Sequence, residues 1–290
     1  MSEQNQQCGG HSCGGEHGCS GNCEHCKEKQ NSDDCRIRSA LSRIKNKIVV
    51  LSGKGGVGKS TVAVNLAYAL AASGANVGLL DVDIHGPSAP KMLHLDGMTL
   101  ESDGTQIIPV TVGNLKVVSL AFLLRNPDDA VIWRGPMKLG VIRQFLSDVA
   151  WGDLDWLVVD TPPGTGDEPL TICQILEDAG AVIVTTPQEV AAADVRKSVN
   201  FCRQLQLPVL GVVENMSGFV CPKCGEITEI FSGEAGKKIA EQFEVPFLGK
   251  IPIDPVVCAG GDAGAPFVRE AAENATAKAF SDVVGKLTQK

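Results

Sequence analysis

The sequence predicts an α/β protein in which a mainly parallel β-sheet is flanked by helices. Three observations carry that prediction. Short apolar runs alternate with helical patterns from Ile37 onward, in the manner of repeated β-α units. Most of the runs are almost continuously apolar, as strands buried on both faces of a parallel sheet are. A glycine-rich stretch, "LSGKGGVGKST" at residues 51 to 61, joins the first run to a helical pattern.

Residues 1–36 precede this pattern and are of another composition. They hold six of the eleven Cys and three of the five His, yet no Val, Ile, Leu, Phe, Trp or Tyr. A segment without large apolar side chains cannot build a packed core, so it is read as a disordered tail or a small metal-organised module. The folded domain is placed at 37–290.

The first strand is expected at 47–52, "KIVVLS". After the glycine loop, Ala63, Leu66, Ala67 and Leu70 recur at i, i+3, i+4 and i+7, which is one face of a helix that stops at Ser73-Gly74. Further strands are expected at 76–83, 156–160, 181–186, 208–215 and 246–251. No charged residue lies between Lys59 and Asp81, a gap long enough to raise the question of a membrane span. Asn65, Ser73, Gly74, Asn76 and Gly78 interrupt it, and a helix followed by a strand fits better.

The net charge of −8 opposes nonspecific binding to nucleic acid or anionic lipid, since both require a basic footprint. Neither partner is expected. The N-terminal stretch lacks the apolar centre of a secretory signal, which predicts a cytoplasmic protein whose cysteines are thiols or metal ligands rather than disulfides.

Gly53, Gly58, Lys59 and Ser60 fit G-x4-G-K-[ST], with a strand before and a helix after. In such a loop, Gly53, Lys54, Gly55, Gly56, Val57 and Gly58 present backbone N–H groups to phosphate oxygens at a helix N-terminus. Lys59 reaches the β- and γ-phosphates, the Ser60 hydroxyl ligates Mg2+, and Thr61 supports the α-phosphate. "WLVVDTPPG" runs an apolar strand into Asp160, a candidate for holding Mg2+ through water. "LLDVDIHGPS" ends another strand with Asp81 and Asp83, either of which could orient an attacking water; Asp83, farther from the strand, is the better candidate.

"FVCPKCGE" places Cys221 and Cys224 in C-x2-C spacing, so that two thiolates from one tight turn face one metal centre. Two ligands leave a tetrahedral set half complete, and a symmetric homodimer would supply the other half. By itself the motif fits structural zinc as well as an iron-sulfur cluster. The tail offers a second such pair, Cys23 and Cys26, for a second cluster or zinc. Cys173 and Cys202 lie on apolar helical patterns as small buried hydrophobes. Cys258 is read as part of a loop.

Taken together and in order, "GKGGVGKST", "DVDIHGPS", "VIWRGPM", "VVDTPPGTGD", "TTPQEVAAADVRKSVNF", "ENMSGF" with "CPKCG", and "IPIDP" resemble the Mrp/ApbC group of P-loop ATPases, which includes the eukaryotic cytosolic cluster-scaffold ATPases. The resemblance covers about residues 37 to 285. It implies a deviant Walker A fold akin to the nitrogenase iron protein and MinD. It also implies ATP with Mg2+ as ligands, and a [4Fe-4S] cluster bridging two subunits through Cys221 and Cys224. Delivery to apo iron-sulfur proteins, in contact with the cluster-assembly machinery, is implied as well. Lys54 is similar to a lysine that crosses the dimer interface to the facing nucleotide, and Asn215 to an adenine-reading asparagine. Some relatives carry a tail spaced C-x13-C-x2-C-x5-C. Counting from Cys8, this chain gives x14, x2 and x8. A MinD- or ParA-like positioning ATPase is the reading from another class; it calls for a basic or amphipathic tail, and "ENATAKAFSDVVGKLTQK" shows only scattered lysines.

Overall fold

A computed structural model of the chain describes residues 33–83, 86, 88–124, 135–221, 223–231, 233–264 and 275–289. The chain enters through helix α1, Asp33–Leu41, which runs through the change of composition at residue 36 and docks by Ile37 and Leu41. Strand β1, Ile44–Leu51, then leads to α2, Lys59–Ala72, and to β2, Val77–Asp81.

A short helix α3, Ala89–Met92, follows, with a two-stranded ribbon of β3, Glu101–Ser102, and β4, Ile107–Ile108. Next come β5, Val110–Val112, β6, Leu115–Ser119, and helix α4, Gly135–Ser147. The second half repeats the alternation: β7, Leu154–Asp160; α5, Asp167–Ile175; β8, Gly180–Thr185; and α6, Glu189–Gln204. It ends with β9, Val209–Val220; β10, Ile227–Thr228; α7, Ala235–Gln242; β11, Phe247–Ile253; α8, Pro255–Ala263; and α9, Ala275–Thr288.

Nine strands form one sheet in the order β10-β9-β8-β1-β7-β2-β6-β5, with β11 also on β9. All pairings are parallel except β5 with β6 and β10 with β9. Burial explains the near-continuous apolar runs: β2 and β8 are buried at every position, because helices cover both faces. One face packs on Ile37, Phe145, Ile172, Val199 and Ile239 from α1, α4, α5, α6 and α7. The other packs on Val62, Leu66, Leu70, Phe280 and Val283 from α2 and α9.

Several expectations need correction. The α2 pattern read as one apolar face, but Val62 and Val64 are fully buried together with Ala63, Leu66 and Ala67, so the helix is covered on nearly every side. β6 was not foreseen, its five-residue run being interrupted by Lys116. The strand expected at 208–215 continues to Val220, directly to the first cysteine of the C-x2-C. Cys258, expected in a loop, falls within α8; its side chain lies outside the described residues.

Candidate functional site

The parallel strands deliver their C-terminal ends to one edge of the sheet, where ligands of open α/β sheets bind. β1 ends there in the glycine loop, β7 in Asp160 and β2 in Asp81, with Asp81 and Asp160 side by side in the register.

The loop glycines are there for space and for backbone shape. Gly56 and Gly58 have φ of 77° and 75°, the left-handed region that other residues enter at a cost. A Cβ on Gly58 would lie 2.2 Å from the Asn215 amide nitrogen, and one on Gly53 would lie 2.5 Å from the backbone oxygen of Asp194 in α6. Two bonds brace the loop from beneath: the Ser52 hydroxyl donates to the Lys54 carbonyl at 3.0 Å, and the Gly164 amide donates to the Ser52 carbonyl at 2.8 Å. The second ties the loop after β7 to the loop after β1.

A cavity of about 200 Å3 opens over this loop, bounded by Lys54, Gly55, Gly56, Gly58, Lys59, Ser60 and Thr61, with Asp83 and Pro163 opposite. Val57 faces inward and is buried. Lys59 is also buried; it donates to Asp160 Oδ1 at 2.5 Å and to Ser60 Oγ at 3.2 Å. The second oxygen of Asp160, Oδ2, is buried with no hydrogen-bond partner. Burial pushes the Asp160 carboxyl above the usual carboxylate range, while Lys59 and Ser60 pull it back. A buried, unpartnered carboxylate oxygen beside a serine hydroxyl suits a hard divalent cation.

The two aspartates of "DVD" have different surroundings. Asp83 borders the cavity. Asp81 is fully buried and accepts from the Asp83 amide at 3.1 Å, the Ala89 amide at 3.3 Å and the Ser119 hydroxyl at 3.1 Å. Burial first, and nearby Asp160 second, push its carboxyl up to about 7. Asp81 therefore anchors the segment that carries Asp83. Asn215 stands on β9, and its amide donates to the Val57 carbonyl at 2.9 Å, which puts it against the phosphate loop.

The cysteines occupy a hairpin tip. β9 and β10 pair through Val220 with Ile227 and Phe219 with Thr228. Beyond them the Cys221 amide donates to the Glu226 carbonyl at 2.9 Å, and the Gly225 amide to the Cys221 carbonyl at 2.8 Å, with Gly225 left-handed at φ 75°. The turn aims the amides of Lys223 and Cys224 at the Cys221 sulfur, which holds its thiol below the usual range. Cys173 and Cys202 are the contrast, pushed up to about 12 by burial. The hairpin thus favours the thiolate of Cys221, the form that binds metal. Among the described residues no group of three or more His, Cys, Asp and Glu is placed to hold a metal ion, so nothing there completes the pair.

Cys23 and Cys26 of the tail, His85 and Pro87 of "DVDIHGPS", and 131–134 of "VIWRGPM" lie outside the described residues. Among those described, no helix is long and apolar enough to cross a membrane. Among the buried polar residues at this edge that escaped the sequence reading are Ser119 and Glu214. Ser119 supports Asp81; its signal was a hydroxyl ending an apolar run. Glu214, fully buried, accepts from the Ser217 hydroxyl at 2.8 Å and the Gly236 amide of α7 at 2.9 Å; its signal was a lone charge in "VVENMSG".

Known proteins with this arrangement are several. The family described as ParA, NUBPL iron-transfer P-loop NTPase, matches residues 43–288. An iron-sulfur cluster carrier protein of Methanocaldococcus jannaschii is 50% identical over 261 residues, covering 86% of this chain and 90% of the relative. A cytosolic Fe-S cluster assembly factor NUBP2 homolog of Culex quinquefasciatus is 54% identical over 236 residues, covering 79% and 92%. A nucleotide-binding protein of Archaeoglobus fulgidus, solved in complex with ADP, superimposes with TM-score 0.73 at 42% identity, covering 82% of this chain and 93% of that one. The cell division ATPase MinD of Pyrococcus furiosus shares the fold, with TM-score 0.61 at 24% identity over 84% of this chain and 98% of its own.

Proposed function

Because the chain belongs to the NUBPL iron-transfer P-loop NTPase family, we propose that it is an ATP-dependent carrier that holds a [4Fe-4S] cluster between two copies of itself and passes it to apoproteins. One observation carries this reading. Cys221 and Cys224 share a hairpin tip whose amides favour the Cys221 thiolate, and among the described residues no further ligands join them. Two thiolates are half of a cluster's usual set, and a twofold axis supplies the remainder. The names of the relatives, an iron-sulfur cluster carrier and an Fe-S cluster assembly factor, support the same cargo.

In this reading the loop of 53–58 and Lys59 bind the phosphates of ATP, and Thr61 contacts the α-phosphate. Ser60 and, through water, Asp160 hold Mg2+, which neutralises phosphate charge. Asp83 orients the attacking water, and Asp81 keeps Asp83 in place. Lys54 reaches the nucleotide of the facing subunit, as a cation supplied in trans. Asn215 spends one amide hydrogen on Val57 and retains its second hydrogen and Oδ1 for an adenine edge. The ADP of the Archaeoglobus fulgidus protein supports a nucleotide at this loop. Hydrolysis, slow without an activating partner, is coupled to loading or release of the cluster.

The partners are a second copy of the chain, apo iron-sulfur proteins and the machinery that builds clusters. The compartment is the cytoplasm, supported by the reduced-thiol reading of eleven cysteines and by the cytosolic name of the Culex quinquefasciatus relative. Cys23 and Cys26 are proposed to bind a second cluster or zinc.

Cluster transfer tests the reading. Protein reconstituted without oxygen and freed of unbound iron is mixed with an apo [4Fe-4S] enzyme, whose activity is then followed. The acceptor should gain activity only from the loaded carrier. An acceptor that stays inactive beside an iron-loaded donor would refute delivery.

A further inference from the structure

The nucleotide loop and the cysteine hairpin are joined by a single strand with a defect between them. After a register shift between Val209 and Gly211, β9 pairs with β8 in regular parallel register from Gly211 to Glu214. On its other edge Asn215 pairs with Ile251, but the next pair is Phe219 with Ile253, so three residues of β9, Met216 to Gly218, lie opposite one residue of β11. This is a bulge, and it bends the strand at that point.

Its backbone is unusual as well. Met216 has φ 58° and Gly218 φ 84°. Glycine takes that conformation freely, whereas a methionine inside a strand is held there by its surroundings.

Those surroundings belong to the phosphate loop. A Cβ built on Gly58 would lie 3.5 Å from the Met216 side-chain Cε, beside the Asn215 amide that already grips the Val57 carbonyl. Asn215 therefore holds the loop at Val57, and the side-chain end of Met216 stands on the side of Gly58 where a Cβ would project. On the far side of the bulge, the Phe219–Thr228 and Val220–Ile227 pairs and the two tip hydrogen bonds make the cysteine hairpin one stiff unit.

We propose that the Met216–Gly218 bulge is a hinge that makes the geometry of the Cys221/Cys224 hairpin depend on whether the phosphate loop holds a nucleotide. The proposal rests on the reading of these two places as nucleotide and cargo sites. Phosphate draws the amides of Val57 and Gly58 toward itself, and the shift reaches the bulge through the Asn215–Val57 hydrogen bond and the Met216 methyl beside Gly58. A left-handed residue between two ordinary β conformations has a second backbone state close at hand, and a change there re-aims the hairpin as a body. Met216 acts through the loop and the hairpin and touches neither reacting group.

The test uses the full chain, reduced and free of iron. Iodoacetamide alkylation of Cys221 and Cys224 is followed by peptide mass spectrometry, with and without a non-hydrolysable ATP analogue and Mg2+. In the parental chain the analogue should change the alkylation rate by on the order of fivefold or more, the lower range of typical coupling between sites. In Met216→Gly, which releases the backbone and removes the side chain, the ratio should fall close to one while nucleotide affinity stays near the parental value. An absent nucleotide effect in the parental chain, or an undiminished one in Met216→Gly, overturns the hinge. Shielding by dimer closure alone would survive that substitution and so counts against it. Should Met216→Gly fail to bind nucleotide, Met216→Ala decides: loss of the contact with Gly58 should shrink the ratio, and a full ratio there also overturns the proposal. A chain that shows the nucleotide effect but assembles no cluster refutes the carrier reading and leaves the hinge standing.

Discussion

Lys59 holds its ammonium 2.5 Å from Asp160 Oδ1, with both side chains buried at the end of the sheet. The lysine of a phosphate loop is also the ligand of the β- and γ-phosphates, so phosphate and carboxylate compete for one cation. In the proposed reading Mg2+ would resolve the competition, because it would offer Asp160 another positive partner once the lysine is engaged by phosphate.

Asp160→Asn should therefore separate binding from metal dependence. Removing one member of a buried pair leaves the other charge uncompensated and costs about 3–5 kcal/mol, so the thermal midpoint should drop. Nucleotide affinity, measured by calorimetry with Mg2+ and with EDTA, should become the same in both. A variant that keeps the parental Mg2+ dependence contradicts the assignment of Asp160.

Asp81 gives the protein a pH dependence of definite sign. Its carboxyl is raised to about 7 in the folded chain from an ordinary value of 3.8, so between those values the folded state binds a proton that the unfolded state lacks. Stability from this group is complete at low pH and declines as pH rises through that window, by about 1.4 kcal/mol per pH unit crossed. Urea unfolding at pH 5 and pH 8 should show a smaller difference in Asp81→Asn than in the parental chain. An unchanged difference would mean that Asp81 stays ionised throughout.

Lys54 borders the cavity without belonging to the phosphate-gripping turn of the helix. Lys54→Ala should leave nucleotide affinity within about threefold while cutting hydrolysis steeply, toward the factor of 10^3 to 10^5 that a cation in trans can supply. Parental turnover in the variant removes this role.

Gly53→Ala probes the packing of the loop on α6. The new methyl would stand 2.5 Å from both the Cβ and the carbonyl oxygen of Asp194, and backbone cannot swing aside as a flexible side-chain end does. Overpacking of this kind costs about 1–3 kcal/mol or more. Thermal unfolding should register that loss, together with weaker nucleotide binding. Gly140→Ala, where among the described residues nothing lies within 4 Å of the new Cβ, is the matched control.

The layout of the sheet was legible because parallel strands buried on both faces have to be apolar throughout, and "WLVVD" or "AVIVTT" admits little else. The phosphate loop was legible because its glycines and lysine are fixed by the ligand's chemistry. β6 was hidden because Lys116 interrupts its short apolar run, Leu115–Ser119. The full length of β9 was hidden for a better reason: Met216 and Gly218 break the strand's alternation, and nothing in the order of residues signals that a methionine adopts a left-handed backbone. Asp81 and Asp83 could be ranked from sequence by distance from the strand. The hydrogen bond from Asp83 to Asp81 is local, but those from Ala89 and above all Ser119 that make Asp81 an anchor depend on segments that meet it in the fold.

Two half-sites make one cluster site if the carrier reading holds, and iron content reads this directly. Full-length protein and its Cys221→Ala variant are reconstituted without oxygen with iron and sulfide, desalted, and assayed for iron, zinc and molecular mass. The expected result is a brown parental dimer that carries about four more irons per two chains than the variant, as one [4Fe-4S] cluster requires. Equal iron in the two proteins, or a colourless parental protein with stoichiometric zinc at this pair, would contradict it.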